Sequence, residues 1–146
     1  MKETIRYITF DGSIFEYKED AEYYEIKRRL QVKRDILASI VGDYMRRLYN
    51  TRKRINNIQT YLSEFKKKFH DPDDPENQDP VNHFYWMTDR MKNRAILSMQ
   101  VLNVKNIKQE LARYNRLLSA TDNDIIRYKD AHDVIVANRY NHPSSK

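Results

Sequence analysis

The sequence predicts a mainly α protein: a long antiparallel helical hairpin of coiled-coil type, preceded by a small N-terminal β-hairpin. Three observations carry this. The 146 residues include two Gly and four Pro against 33% charged residues, a usage that suits long solvated helices and leaves a β protein short of turns. Apolar residues recur at heptad spacing in both halves of the chain. A single Pro-rich, acidic segment at 70–80 separates those halves.

Residues 4–17, TIRYITFDGSIFEY, read as the β-hairpin, two β-branched and aromatic runs around Asp11-Gly12. That dipeptide suits a two-residue type I′ turn, which pairs Thr9 with Ile14 and Ile8 with Phe15. A lone hairpin is marginal in water, so its Ile8/Phe15 face is expected against a helix.

Residues 19–69 read as the first helix, where Gly42 costs about 1 kcal/mol relative to Ala. In its second half Leu48, Ile55, Leu62 and Phe69 hold one heptad position, and Ile58 and Phe65 the other. In the first half Ile36, Leu37, Ile40, Val41, Tyr44 and Met45 widen the apolar face beyond what one partner helix needs.

After the loop, Asp79 as N-cap and Pro80 at the first helical position start a second helix, 80–140. Val104, Ile107, Leu111, Tyr114 and Leu118 set its heptad phase, which Thr121, Ile125, Tyr128, His132 and Ile135 continue. Two readings stay open at 119–124: an unbroken helix, or a turn in which Thr121 or Asp122 caps a third, C-terminal helix. Folding at the loop places residue i opposite roughly 147 minus i, so the apolar stretch 36–48 is expected to face 99–111, near Met99, Val101, Leu102, Val104 and Ile107. The apolar surplus calls for a third helix or a second copy, and a homodimer is expected. The length supports one domain, 1–146.

The charge of +6 is unevenly spread, with the bases concentrated in the first helix and the acids in the loop. Arg46/Arg47, Lys53/Arg54 and Lys67/Lys68 recur at heptad spacing, with Thr60/Tyr61 as a gap, and form one strip on the helix. Such a strip suits a polyanion, either a nucleic-acid backbone or an acidic protein surface, and equally a solvated face beside the seam. His83-Phe84-Tyr85-Trp86 cannot all face one helix, so Trp86 is a candidate interface anchor, or else it caps the hairpin end against Phe65 and Phe69.

Zero Cys removes thiolate metal sites, disulfides and Cys nucleophiles. His70, His83, His132 and His142 lack metal-ligand spacing, and His132 falls in the core-facing phase as a satisfied structural histidine. DPDDPENQD lacks the Gly and the terminal Glu of a calcium loop, and no phosphate loop or hydrolase motif occurs. The expectation is no enzyme, no cofactor and no metal. No apolar run reaches membrane length and no targeting segment precedes the hairpin, so a soluble cytoplasmic chain is expected.

Residues 1–25 resemble a short N-terminal module of small uncharacterised proteins of tailed bacteriophages, through Asp11, Gly12, Phe15, Ala21, Tyr24 and Glu25. The resemblance implies an accessory protein acting in the host cytoplasm, a class that includes host-takeover and anti-defence factors, and carries over no catalytic residue. The resulting expectation is a protein that inhibits or redirects a host protein or nucleoprotein complex through Arg46, Arg47, Lys53, Arg54, Lys67, Lys68 and Trp86. The alternatives are a helical dimer that binds DNA or RNA directly, and a self-assembling structural or scaffolding protein.

Overall fold

Two long helices packed on each other, with a two-stranded hairpin, make up the computed structural model, which describes residues 5–69, 73 and 79–141. The order is β1 (Tyr7–Ile8), β2 (Ile14–Phe15), α1 (Lys18–Phe69) and α2 (Pro80–Asn141). The side chain of Phe69, His70, His142 and the acidic loop apart from Asp73 and Asp79 lie outside the described residues. The two ends of that loop behave as expected of helix termini. Lys66, Lys67 and Lys68 occupy the last turn of α1, where cations offset the helix dipole. Asp79 caps α2 by accepting from the Val81 amide at 3.0 Å.

Contacts gather in two compact units, one of Met1–Val41 with Arg113–Lys146 and the other of Gly42–Ala112. In the first, β1 and β2 pair antiparallel with Tyr7 opposite Phe15 and Ile8 opposite Ile14. This corrects the expected register by one residue. The Gly12 amide donates to the Thr9 carbonyl at 3.0 Å and the Thr9 amide to that of Ser13 at 2.9 Å, closing a three-residue loop. In this loop Gly12 alone takes a positive φ, +87°, whereas a type I′ turn needs two such residues. Asp11 supplies the reason: its carboxylate accepts from the Thr9 hydroxyl at 2.6 Å and the Ser13 amide at 3.1 Å. Those bonds hold it in the wider turn. They also keep its carboxyl well below the ordinary 3.8, the Thr9 hydroxyl first and the Tyr24 hydroxyl second.

The slip in register exchanges the faces, since side chains alternate along a strand. Ile8, expected inside, is 70% exposed, and Phe15 turns inward with its cross-strand partner Tyr7, its ring 5.3 Å from Tyr24. The hairpin tip is fastened by the Phe10 amide, which donates to Glu25 at 3.1 Å, and by the Tyr24 hydroxyl, which donates to Asp11. Ala21 is buried beneath. Asp11, Gly12, Phe15, Ala21, Tyr24 and Glu25, the positions of the phage resemblance, are thus residues that shape the hairpin and fasten it to α1.

Farther along this unit α2 runs unbroken through 119–124, which removes the third-helix reading. Thr121 is 1% exposed and donates its hydroxyl to the Leu117 carbonyl at 2.9 Å, the posture of a helix-interior residue and not of a cap. Asp122 reaches across to Arg34 Nε at 2.6 Å. His132 keeps its expected core-facing place: its ring stacks on Tyr23 at 4.2 Å, and its Nε2 lies 2.6 Å from Asp20. Arg139 grips the same carboxylate through two bonds of 2.9 and 3.0 Å, its guanidinium 3.7 Å from the centre of the Tyr17 ring.

In the second unit Tyr61 meets Asp89 and Phe65 meets Trp86, where a fold at 147 minus i gives 86 and 82. The pairing falls about one turn later on α2 than expected. Leu97, Val104, Ile107 and Leu111 occupy the seam half-buried, whereas Met99, Val101 and Leu102 are exposed, as is Met45. Of the residues of α2 expected in the seam, Val104 and Ile107 are there and Met99, Val101 and Leu102 are not. The phase that puts 97 and 104 in the seam turns 99 and 102 away from it.

A Cβ added at Gly42 meets nothing within 4 Å. Gly42→Ala is therefore expected to stabilise the protein by about 0.5–1 kcal/mol, through helix propensity alone. Thermal unfolding of the two forms checks this, and a lower midpoint in the Ala form would contradict it.

Candidate cationic site

The predicted strip divides into two rows once α1 is paired. Arg47, Arg54, Tyr61 and Lys68 flank the seam, while Arg46, Lys53, Thr60 and Lys67 lie one position farther round the helix. Arg46 is held by Asp43, one turn back on the same helix. Tyr61, the gap between the cations, donates its hydroxyl to Asp89 at 2.6 Å. That bond, with some burial, raises the Tyr61 pKa, because the neutral phenol is the form that donates. Lys68 sits 4.3 Å above the centre of the Trp86 ring, and Trp86 meets Phe65 edge-on at 5.9 Å. At this end of α1 the inner row, Tyr61 and Lys68, is taken up by contacts with α2.

Trp86 is therefore turned into the seam, as in the cap reading. The exposed aromatics of this turn are Phe84 and Tyr85, whose rings touch at 6.1 Å.

Arg47, Lys53 and Arg54 converge on an open trough of about 600 Å³. Asn50, Thr51 and Asn57 of α1 complete its lining with Asn103 and Ile107 of α2. It holds three cations, three side-chain amides and no carboxylate. The Arg47 guanidinium lies 5.4 Å from the Tyr44 ring, whose π face leaves the charge uncompensated. Arg47 and Arg54 are seven residues apart, about 10 Å along the axis, with the amides of Asn50 and Asn57 at the same spacing between and beyond them. Cations supply attraction to an anion, and amides, which both donate and accept, supply adaptable hydrogen bonds.

The amides carry no charge signal, which is why a reading by charge passes over them. The repeat of Asn50 and Asn57 is visible in the sequence, but the approach of Asn103 depends on the register of α2. Among the described residues no cluster of three or more metal-ligating side chains occurs, and no helix is long and apolar enough to cross a membrane. Compared with known proteins, the chain matches no family model, no curated protein and no solved structure.

Proposed function

We propose that the protein is a non-enzymatic bacteriophage accessory factor that occupies an anionic surface of a host macromolecular complex and thereby inhibits or redirects it. The observation that carries this reading is the trough in which Arg47, Lys53 and Arg54 converge with no acid among its lining. Uncompensated cations on one face steer an anionic partner and set its register, and desolvation against that partner strengthens each contact. Lys67, on the outer row, adds to the field without lining the trough, whereas Arg46 is offset by Asp43. The hairpin-and-helix resemblance to tailed-phage proteins supports the cellular setting. The same lining favours direct, sequence-indifferent binding of DNA or RNA as the second reading, since guanidinium and amide groups both fit phosphate oxygens.

Binding of fluorescent polyglutamate and of a mixed-sequence duplex DNA, at low and at physiological salt, tests both readings. If three phosphates are neutralised, a threefold rise in salt weakens the DNA complex by about 20-fold. DNA binding with that slope, well above polyglutamate binding, selects the nucleic-acid reading, and comparable binding of both selects the anionic protein surface. Reversing all three charges, Arg47→Glu, Lys53→Glu and Arg54→Glu, is expected to abolish either complex. Undiminished affinity in the triple variant would refute the site.

A further inference from the structure

The first half of α2 carries a second apolar stripe on the side facing away from α1. Val81, Phe84, Met91, Met99 and Leu102 stand 57–68% exposed, with Ala95 between them. At 3.6 residues per turn these positions fall on one line, opposite the seam residues Trp86, Asn93, Leu97 and Val104. The hydroxyl residues within the stripe are already satisfied. Thr88 donates to the Phe84 carbonyl at 2.9 Å and Ser98 to that of Arg94 at 3.1 Å. Burying this line would therefore strand no hydroxyl donor.

The stripe is also symmetric in sequence. Met91 and Met99 lie four residues either side of Ala95, and Thr88 and Leu102 seven either side. Such a line is self-complementary under a two-fold axis through Ala95, where antiparallel copies set Met91 against the partner's Met99 and Thr88 against the partner's Leu102. Ala95, the smallest side chain, then sits where the two helices approach most closely. With neighbouring Tyr85, six large side chains about two-thirds exposed offer roughly 600–700 Å² per copy, near the ~800 Å² per partner of a standard stable interface.

We infer that α2 pairs with a second copy of this chain, antiparallel, along the Val81–Gln109 stripe centred on Ala95, with Phe84 and Val81 set against Asn106 and Gln109 of the other copy. The flanking charges define how this dimer responds to salt. From Pro80 to Gln109 the single acid is Asp89, which is engaged by Tyr61, while Lys92, Arg94 and Lys105 border the stripe. Two copies bring these cations together, so screening tightens the dimer. An acidic partner helix on the same stripe would be released by salt instead.

Sedimentation over a concentration series, at low and physiological salt, is the first part of the test. The expected particle has twice the 17.7 kDa chain mass and a dissociation constant that falls as salt rises. Ala95→Lys, at an already exposed position, should give a folded monomer, with helicity by circular dichroism reporting the fold. The chain has no Cys, so Ala95→Cys provides a geometric readout. Helices 8–10 Å apart bring the two Cα atoms to about 4–6 Å, within disulfide reach, and mild oxidation should crosslink most of the protein. Val134→Cys, also at an exposed position of α2, should not crosslink. A strict monomer at all concentrations, a dimer that survives Ala95→Lys, or equal crosslinking at 95 and 134 would each overturn the inference.

Discussion

Phe65→Ala is expected to lose about 3 kcal/mol of stability, the low end of the range for a buried phenylalanine. Only Ala21, Leu37 and Phe65 are apolar and buried among the described residues, so few other side chains share the load. The ring meets Trp86 edge-on at 5.9 Å, and Trp86 in turn lies under Lys68. Removing the ring opens a cavity beside Trp86 that two single helices have little means of filling. For a chain of this size the loss corresponds to a fall in Tm on the order of 10 °C. Trp86 is the sole tryptophan and reports the site directly, its emission shifting to the red as water reaches the indole. Phe65→Leu, which keeps most of the volume, should recover more than half of the loss. An unchanged Tm together with unchanged emission in the Ala form would mean that Phe65 is not packed against Trp86.

The second expected effect is on acid stability. Arg139, held in the last turn of α2, donates two hydrogen bonds to Asp20 in the first turn of α1, and His132 contacts the same carboxylate. The Arg139 bonds, and then the His132 bond, hold the Asp20 carboxyl below its ordinary 3.8 despite the opposing effect of burial. A carboxyl with a folded pKa below its unfolded value binds fewer protons in the folded state. Its contribution is therefore complete above the unfolded pKa and is lost as pH falls through the folded one. Asp20 is three-quarters buried, so Asp20→Asn is expected to cost about 2 kcal/mol at neutral pH, less than for a wholly buried pair. The gap between the two proteins should narrow as pH drops below 3.8. Urea denaturation of both at pH 7 and near pH 3 measures it. A gap of the same size at both values would assign the loss to packing and not to ionisation.

The candidate site was half legible from the sequence. Heptad spacing of Arg46/Arg47, Lys53/Arg54 and Lys67/Lys68 is enough to place a cationic strip on α1, because the helical period alone sets the faces. Which members are available depends on neighbours that the period does not name. Asp43 takes Arg46, Trp86 takes Lys68, and Asn103 joins Arg47, Lys53 and Arg54 from the other helix. The placing of Trp86 depends on the same kind of neighbour. Of three consecutive aromatics, the phase of α2 turns Trp86 inward and leaves Phe84 and Tyr85 exposed.

By itself the sequence determined the mainly α class, the two helices with their boundary at Asp79-Pro80, and the existence of the hairpin. Each of these rests on local physics: scarce Gly and Pro, capping chemistry and the period of the apolar residues. Tertiary structure alone decided three matters. It slipped the hairpin register by one, because Asp11 bonds Thr9 and Ser13 within the loop and Tyr24 from α1. It carried α2 through Thr121, whose capping chemistry is overridden by burial against α1 and by the bond between Asp122 and Arg34. It moved the pairing of α1 with α2 about one turn along, setting Tyr61 against Asp89 and Phe65 against Trp86. Local propensities are degenerate at such points, since Asp-Gly closes more than one turn and Thr-Asp serves both a cap and a helix interior. The contacts that break the tie come from residues distant in sequence.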